Sequence, residues 1–458
     1  IPNTVEGLTR YLGSGMIPGV GLAYATRITN HFGAETLNIL NATPARLSEV
    51  KGLGEKKCVE IVKFWKKKEN SRKLMLFLAE HGIGFNLGLK IQKAWGDDAL
   101  EILKKDPYKL TSSLKGVGFI SADRLALRIG IKADSPMRIE NCILYSLKKA
   151  LEDGHCYLEQ SKLIHTVYNF VQTDESIIEH SLFKLINQND VLEIDKKIVL
   201  KDVHEIEKSI AQKIKQKIQL GPYVTPDSVA LEFSRESVAS EASAEQISAL
   251  NTVIKSGVAI LTGGPGVGKT TMVKILVNYF ENKGFPPVLC APTGRAAQRL
   301  EASTGKKGST LHRLLKFKPG EDQNFIHNED FLLSEVVYII DEFSMVDIYL
   351  FDAFLNALPK QSQIIIVGDS EQLPSVGAGR LLGDFIHSGV IPVAKLTEVF
   401  RQKENSLLVK NSHRIAKHTM PIEVITESKL QDFYFVESPD DKHTIEIIER
   451  MIKERIPA

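Results

Sequence analysis

The spacing of apolar residues changes character along the chain. Over the front end it is helical in short stretches, broken by turns at Gly19-Val20-Gly21, Gly52-Leu53-Gly54, Gly82-Ile83-Gly84 and Gly116-Val117-Gly118. From residue 137 a helix through "IENCILYSLKKAL" leads to a short strand at "CYLE", a helix from Ser161 and a helix across "ESIIEHSLFKLINQN". Two alternating stretches, "VLEID" and "KIVL", then flank a polar turn, so that helix, helix and β-wing follow in the order of a winged helix. Gly221 to about Ser240 has no clear period and reads as a boundary. From Ala244 onward strands alternate with helices, and each strand ends in a polar cluster, as an open parallel sheet with ligands at its carboxyl edge requires.

The front end repeats itself. "FGAETLNILNATPARL" (32 to 47) aligns with "WGDDALEILKKDPYKL" (95 to 110) at an offset of 63, and each unit carries two of the Gly-apolar-Gly turns. Paired glycines permit a tight turn whose backbone N–H groups face outward at a helix start, while Val20, Leu53, Ile83 or Val117 pins it to the core. Such turns can hold phosphate, which makes Gly19, Gly21, Gly52, Gly54, Gly82, Gly84, Gly116 and Gly118 candidate contacts to a nucleic-acid backbone, in the manner of helix-hairpin-helix modules. The other reading is a plain connection between helices, where glycine is common.

Charge supports the first reading. The 458 residues carry a net +2, yet residues 1 to 130 hold 20 Lys+Arg against 12 Asp+Glu and the remainder 38 against 44, so the basic end is the repeated one. A composition of 43% hydrophobic and 25% charged residues is that of a globular chain, and its length calls for on the order of two to four domains. With no apolar run of about eighteen residues and no visible signal peptide, the expected compartment is the cytoplasm and no membrane partner is expected. Cys58, Cys142, Cys156 and Cys290 form no CxxC pair, which argues against a zinc site or disulfide framework and for small buried apolar residues.

Three strand ends carry chemistry. The first, "VAILTGGPGVGKTTMVKILVNYF", matches G-x-x-x-x-G-K-[ST] with a strand before and an amphipathic helix after. Gly263, Gly264, Pro265, Gly266, Val267, Gly268, Lys269, Thr270 and Thr271 would bind ATP, Lys269 reaching the outer phosphates and the Thr270 hydroxyl ligating Mg²⁺. The second, "VVYIIDEFSM", puts Asp341 where such an enzyme places its Mg²⁺ carboxylate, with Glu342 beside it to polarise the attacking water. The third, "IIIVGDSEQLPSVGAGR", offers Gln372 as a sensor of the terminal phosphate, with Gly377 and Gly379 leaving the far side free to move or to approach another backbone closely.

Taken in order, "TGGPGVGKTT", "APTGRAA", "STLHRLL", "IIDEFSM", "GDSEQLPSVGAG" and "LTEVFRQ" resemble the motifs of the RecD-like branch of superfamily 1 DNA helicases, and the repeated front end resembles that of the members that work without RecB and RecC. The resemblance implies a multidomain α and α/β protein. Its parts would be a tandem helix-hairpin-helix region (1–133), a winged-helix-like domain (134–220), a linker (221–240), a RecA-like P-loop motor domain (241–390) with a hairpin insertion near 316–328, and the start of a second motor domain (391–458). It also implies that Gln246 reads adenine, that Arg401 reaches the terminal phosphate, and that Thr293, Gly294, Thr310 and His312 contact the strand. A full-length member would begin with a small β-rich domain and continue through the second motor domain, so a chain truncated at both ends is expected. The activity implied is ATP- and Mg²⁺-dependent 5'-to-3' movement on single-stranded DNA and at single/double-strand junctions, in recombination and repair, by a monomer. The competing class is a DNA-binding protein whose affinity ATP switches; no clustered acidic site suggests a nuclease.

Overall fold

Gly33 and Gly96, 63 positions apart, close the helices Leu22–Phe32 and Phe85–Trp95 in the same positive-φ backbone, φ 55° and 59°. Only glycine holds such a position without cost. In this computed structural model, which describes all residues except 1–4, 14–19, 68, 115, 225–242, 321–324, 399–405, 417, 423–431 and 456–458, the sequence repeat is therefore a structural one. The helix Leu22–Phe32 runs through the 3-10 turn Gly33–Glu35 into the helix Thr36–Ala42 and the turn Pro44–Glu49. Phe85–Trp95, Gly96–Asp98, Ala99–Lys105 and Pro107–Lys109 repeat that order, each final turn opening on a proline whose missing N–H costs nothing there. Val20, Leu53 and Val117 are buried as expected of pins, whereas Ile83 is only half-buried. Gly19 lies outside the described residues.

The chain divides into two units, Ile1–Lys148 with Leu158–Ile198, and Lys149–Tyr157 with Val199–Ala458. In the first, Asp123 and Arg138 form a buried two-pronged ion pair at 2.8 and 2.9 Å, with the Tyr108 hydroxyl donating to the same carboxylate at 2.7 Å. The helices Pro136–Glu152, Gln160–Val171 and Glu175–Asn187 accompany β1 (Tyr157–Glu159), β2 (Val191–Ile194) and β3 (Lys197–Leu200), in the sheet order β1-β3-β2. Asp195 and Lys196, both at positive φ, form the hairpin turn of the wing.

In the second unit β4 (Val258–Gly263), β5 (Val288–Ala291), β6 (Gly308–Thr310), β7 (Val337–Ile340), β8 (Gln363–Gly368) and β9 (Val393–Leu396) make one sheet in the order β6-β5-β7-β8-β4-β9, parallel at every pairing. β4, β7 and β8 are buried along their whole length, so they read as unbroken apolar runs with helices on both faces. β9 was expected to belong to a second motor domain from 391, but it pairs with β4 as the sheet's edge because Gly263 offers no Cβ to hold off Leu396. The helix Lys201–Leu220, inside the bounds expected for the winged-helix-like domain (134–220), belongs to this unit as well. Lys217 donates to the Pro359 carbonyl (3.0 Å) and the Ser362 hydroxyl (2.6 Å), and burial lowers its pKa to about 8.

Candidate functional site

Strand order sets the site. Because β8 lies between β4 and β7, their three carboxyl ends meet, with Thr262 opposite Gly368 and Ile340 opposite Ile366. The loop after β4 turns through Gly266 and Gly268, φ 85° and 88°, where any side chain would be strained, and Gly268 caps the helix Lys269–Asn282. That loop aims backbone N–H groups and a helix N-terminus at one point, the geometry of an anion cradle. Lys269 donates to the carbonyls of Gly263 and Gly264, so its ammonium lies folded along the loop it would share with phosphate. Thr270 and Thr271 follow it, exposed, in the first turn.

At the end of β7, burial raises the Asp341 carboxyl above the usual carboxylate range, opposed by the N–H that Glu342 donates at 2.9 Å and reinforced by the Glu342 charge, while Lys269 and Arg299 pull the other way. A desolvated carboxylate near a lysine and a phosphate loop suits a divalent cation that takes its other ligands from phosphate and water. Among the described residues no group of three or more His, Cys, Asp or Glu could hold a metal. Glu342 itself is left-handed, φ 51°, an uncommon conformation for a residue with a side chain. Its carboxylate faces Arg299 at 3.5 Å. Arg299 escaped notice in the sequence because its position is just one exposed charge on an amphipathic helix.

Gln246 is nearly fully buried in a capping box: its Oε1 accepts from the Ser243 N–H at 3.1 Å, and its own N–H donates to Ser243 Oγ. Its Nε2 has no partner. A buried carboxamide with a spare donor fits an acceptor on an adenine edge, and half of the residue's expected role is already spent on the helix cap. Beyond β8, Asp369 Oδ1 accepts from the Glu371 N–H at 3.0 Å and Gln372 sits exposed on the turn. The far side of that loop is held: Gly379 donates to the Gly154 carbonyl at 3.2 Å, and a Cβ at Gly377 or Gly379 would collide with Asp347 or Ile348. Close approach, not freedom to move, is what those glycines serve. Arg401 lies outside the described residues.

The expected strand contacts have local duties too. Thr293 and Thr310 are helix N-caps whose hydroxyl oxygens accept from Ala296 (3.2 Å) and Arg313 (3.1 Å), which leaves each hydroxyl proton for another acceptor. Gly294 opens the helix Gly294–Thr304. His312 packs against Phe317 and Phe325, residues joined by an antiparallel bridge at the base of the expected hairpin; 321–324 lie outside the described residues. In the front unit Gly52, Gly82 and Gly116 take positive φ, 88°, 66° and 84°. Gly21, Gly84 and Gly118 are extended helix N-caps, and a Cβ at any of them, or at Gly54, would meet nothing within 4 Å. Cys58, Cys142 and Cys290 are buried and Cys156 half-buried, and all four are free.

Comparison with known families matches three regions: a SAM-like helix-hairpin-helix tandem at 13–67, the helix-hairpin-helix domain of ATP-dependent RecD2 DNA helicases at 66–157, and an AAA domain at 241–433. The chain is 31% identical over 432 residues to the ATP-dependent RecD2 DNA helicase of Deinococcus radiodurans, covering 91% of this chain and 59% of that protein. Over 185 residues it is 35% identical to the RecBCD enzyme subunit RecD of Mycolicibacterium smegmatis, 35% of this chain and 33% of the subunit. It thus spans about three fifths of the first relative's length and a third of the second's. Among solved structures, the Pif1 helicase from Candida albicans matches 39% of this chain and 45% of its own at 27% identity and a TM-score of 0.31.

Proposed function

We propose that this chain, with its RecD2-type helix-hairpin-helix domain followed by an AAA domain, is part of an ATP- and Mg²⁺-dependent DNA helicase that moves 5'-to-3' on single-stranded DNA. The observation that supports this best is the meeting of three strand ends, those that precede Lys269, Asp341 with Glu342, and the Gln372 turn. Mg²⁺, when bound, would neutralise charge between the outer phosphates, held by the Thr270 hydroxyl and the Asp341 carboxylate. Lys269 would exchange the Gly263 and Gly264 carbonyls for phosphate oxygens. Glu342 would take a proton from the attacking water, Gln372 would register the terminal phosphate and lose it on hydrolysis, and Arg401 would supply charge from a facing motor domain. Thr293, Gly294, Thr310 and His312 would grip the strand, and the glycine turns of the front unit would hold backbone phosphate at the junction. The protein would act as a cytoplasmic monomer; among the described residues no helix is long and apolar enough to cross a membrane.

Steady-state ATP hydrolysis with and without single-stranded DNA tests this. Hydrolysis that rises with DNA and vanishes in Lys269→Ala, while that variant keeps its fold, is the expected result. Nucleotide-dependent DNA affinity without DNA-stimulated hydrolysis would replace the motor with an ATP-switched binder. Substrates with a single 5' or 3' tail decide the polarity.

A further inference from the structure

Arg299 Nη1 stands 3.5 Å from Glu342 Oε1, its side chain 76% exposed against 25% for the glutamate. A pair so open to water adds little stability. Its consequence is positional: a carboxylate oxygen turned to a guanidinium is not turned to an attacking water. The Glu342 backbone is fixed on both sides, its N–H on Asp341 Oδ1 at 2.9 Å and its carbonyl accepting from Met345 N–H at 3.1 Å, so the side chain is the part that can change partner.

The other end of the pair sits on the helix Gly294–Thr304, whose Ala296, Ala297 and Leu300 are buried. Arg295 and Arg299, four residues apart and both exposed, form a basic edge one turn long. Arg299 thus joins the helix read as a strand contact to the glutamate read as general base.

We propose that Arg299 restrains hydrolysis until single-stranded DNA relieves it: without DNA it holds Glu342, and a backbone phosphate arriving along Gly294–Thr304 takes the guanidinium away. The restrained step is the one in which water gives a proton to the Glu342 carboxylate while its oxygen bonds to the terminal phosphorus and the bond from that phosphorus to the ADP oxygen breaks. The inference rests on the reading of the chain as a DNA-stimulated ATP hydrolase.

The experiment pairs steady-state hydrolysis, with and without oligothymidylate, with the salt dependence of oligothymidylate binding, in the parent, Arg299→Ala and Arg299→Lys. Arg299→Ala is expected to hydrolyse ATP about fivefold or more faster than the parent without DNA, with its stimulation by DNA reduced by the same factor. The slope of log affinity against log salt should fall by about 0.7, one phosphate contact on a single strand. Arg299→Lys, which keeps the charge, should restore most of both. A DNA-free rate in Arg299→Ala equal to or below the parent's overturns the restraint, and an unchanged salt slope overturns the handover. A parent whose hydrolysis ignores DNA sinks the motor reading itself, whereas a stimulated parent matched by Arg299→Ala sinks this inference alone.

Discussion

Two sets of glycines, one beside the motor strands and one at the front unit's turns, do opposite work. In the motor sheet, glycines stand where the molecule closes on itself: a Cβ on Gly257 would strike the carbonyls of Lys217 and Gly221, one on Gly308 the Ala297 carbonyl, and one on Gly263 the Leu396 carbonyl. In the front unit Gly21, Gly54, Gly84 and Gly118 have open space where a Cβ would go. Gly21, Gly84 and Gly118 are extended, a conformation any residue adopts. Neither internal packing nor backbone conformation asks for glycine there. Under the function proposed above, a phosphate approaching the turn would supply that demand. Both units have apolar cores, but the front unit also buries a charge, the Asp123–Arg138 pair.

The largest effect should come from breaking that charge. Asp123→Ala leaves Arg138 buried with only the carbonyls of Ala133 and Val171 as acceptors, so unfolding of the first unit should become easier by about 3–5 kcal/mol. Denaturant titration followed by circular dichroism measures it. A loss below about 1 kcal/mol would mean that the joint is not what steadies the repeat.

Next in size is Gly257→Ala. The colliding atoms are main-chain carbonyls at the end of the helix Lys201–Leu220 and cannot rotate away, so a loss of about 1–3 kcal/mol is expected from the second unit. Equal stability of variant and parent in denaturant would show that this close approach relaxes freely and would weaken the contrast between the two sets of glycines.

Neither the Asp123–Arg138 pair nor the Gly257 contact was legible in the sequence, and the reason is common to both. Local features were legible: the phosphate loop, Asp341 after a β-branched strand and the wing all follow from residues within a few positions of each other. What depends on separated positions was not. Arg138 reaches Asp123 from another helix, Arg299 reaches Glu342 across the sheet edge, and β9 joins β4 from far along the chain. Gln246 shows the mixed case, since its spacing from Ser243 made the cap possible but only the fold showed which of its two polar atoms the cap uses.

The smallest effect on stability, and the sharpest test of the contrast, belongs to Gly84→Ala. Alanine fits the extended N-cap backbone of Gly84, φ −64° and ψ 143°, and meets no neighbour. It removes some unfolded-chain freedom and gives up a slightly better cap, so stability should stay within about 0.5 kcal/mol of the parent. A methyl group at the mouth of the turn would nonetheless hold a phosphate off the N–H groups beyond it. Losing one hydrogen bond to a charged oxygen corresponds to roughly tenfold in affinity. Equilibrium titration of DNA at fixed salt, for Gly21→Ala, Gly54→Ala, Gly84→Ala and Gly118→Ala singly, should separate the turns that touch DNA from those that do not. If all four bind as the parent does, the turns are helix connections only, and the open glycines have no function that DNA explains.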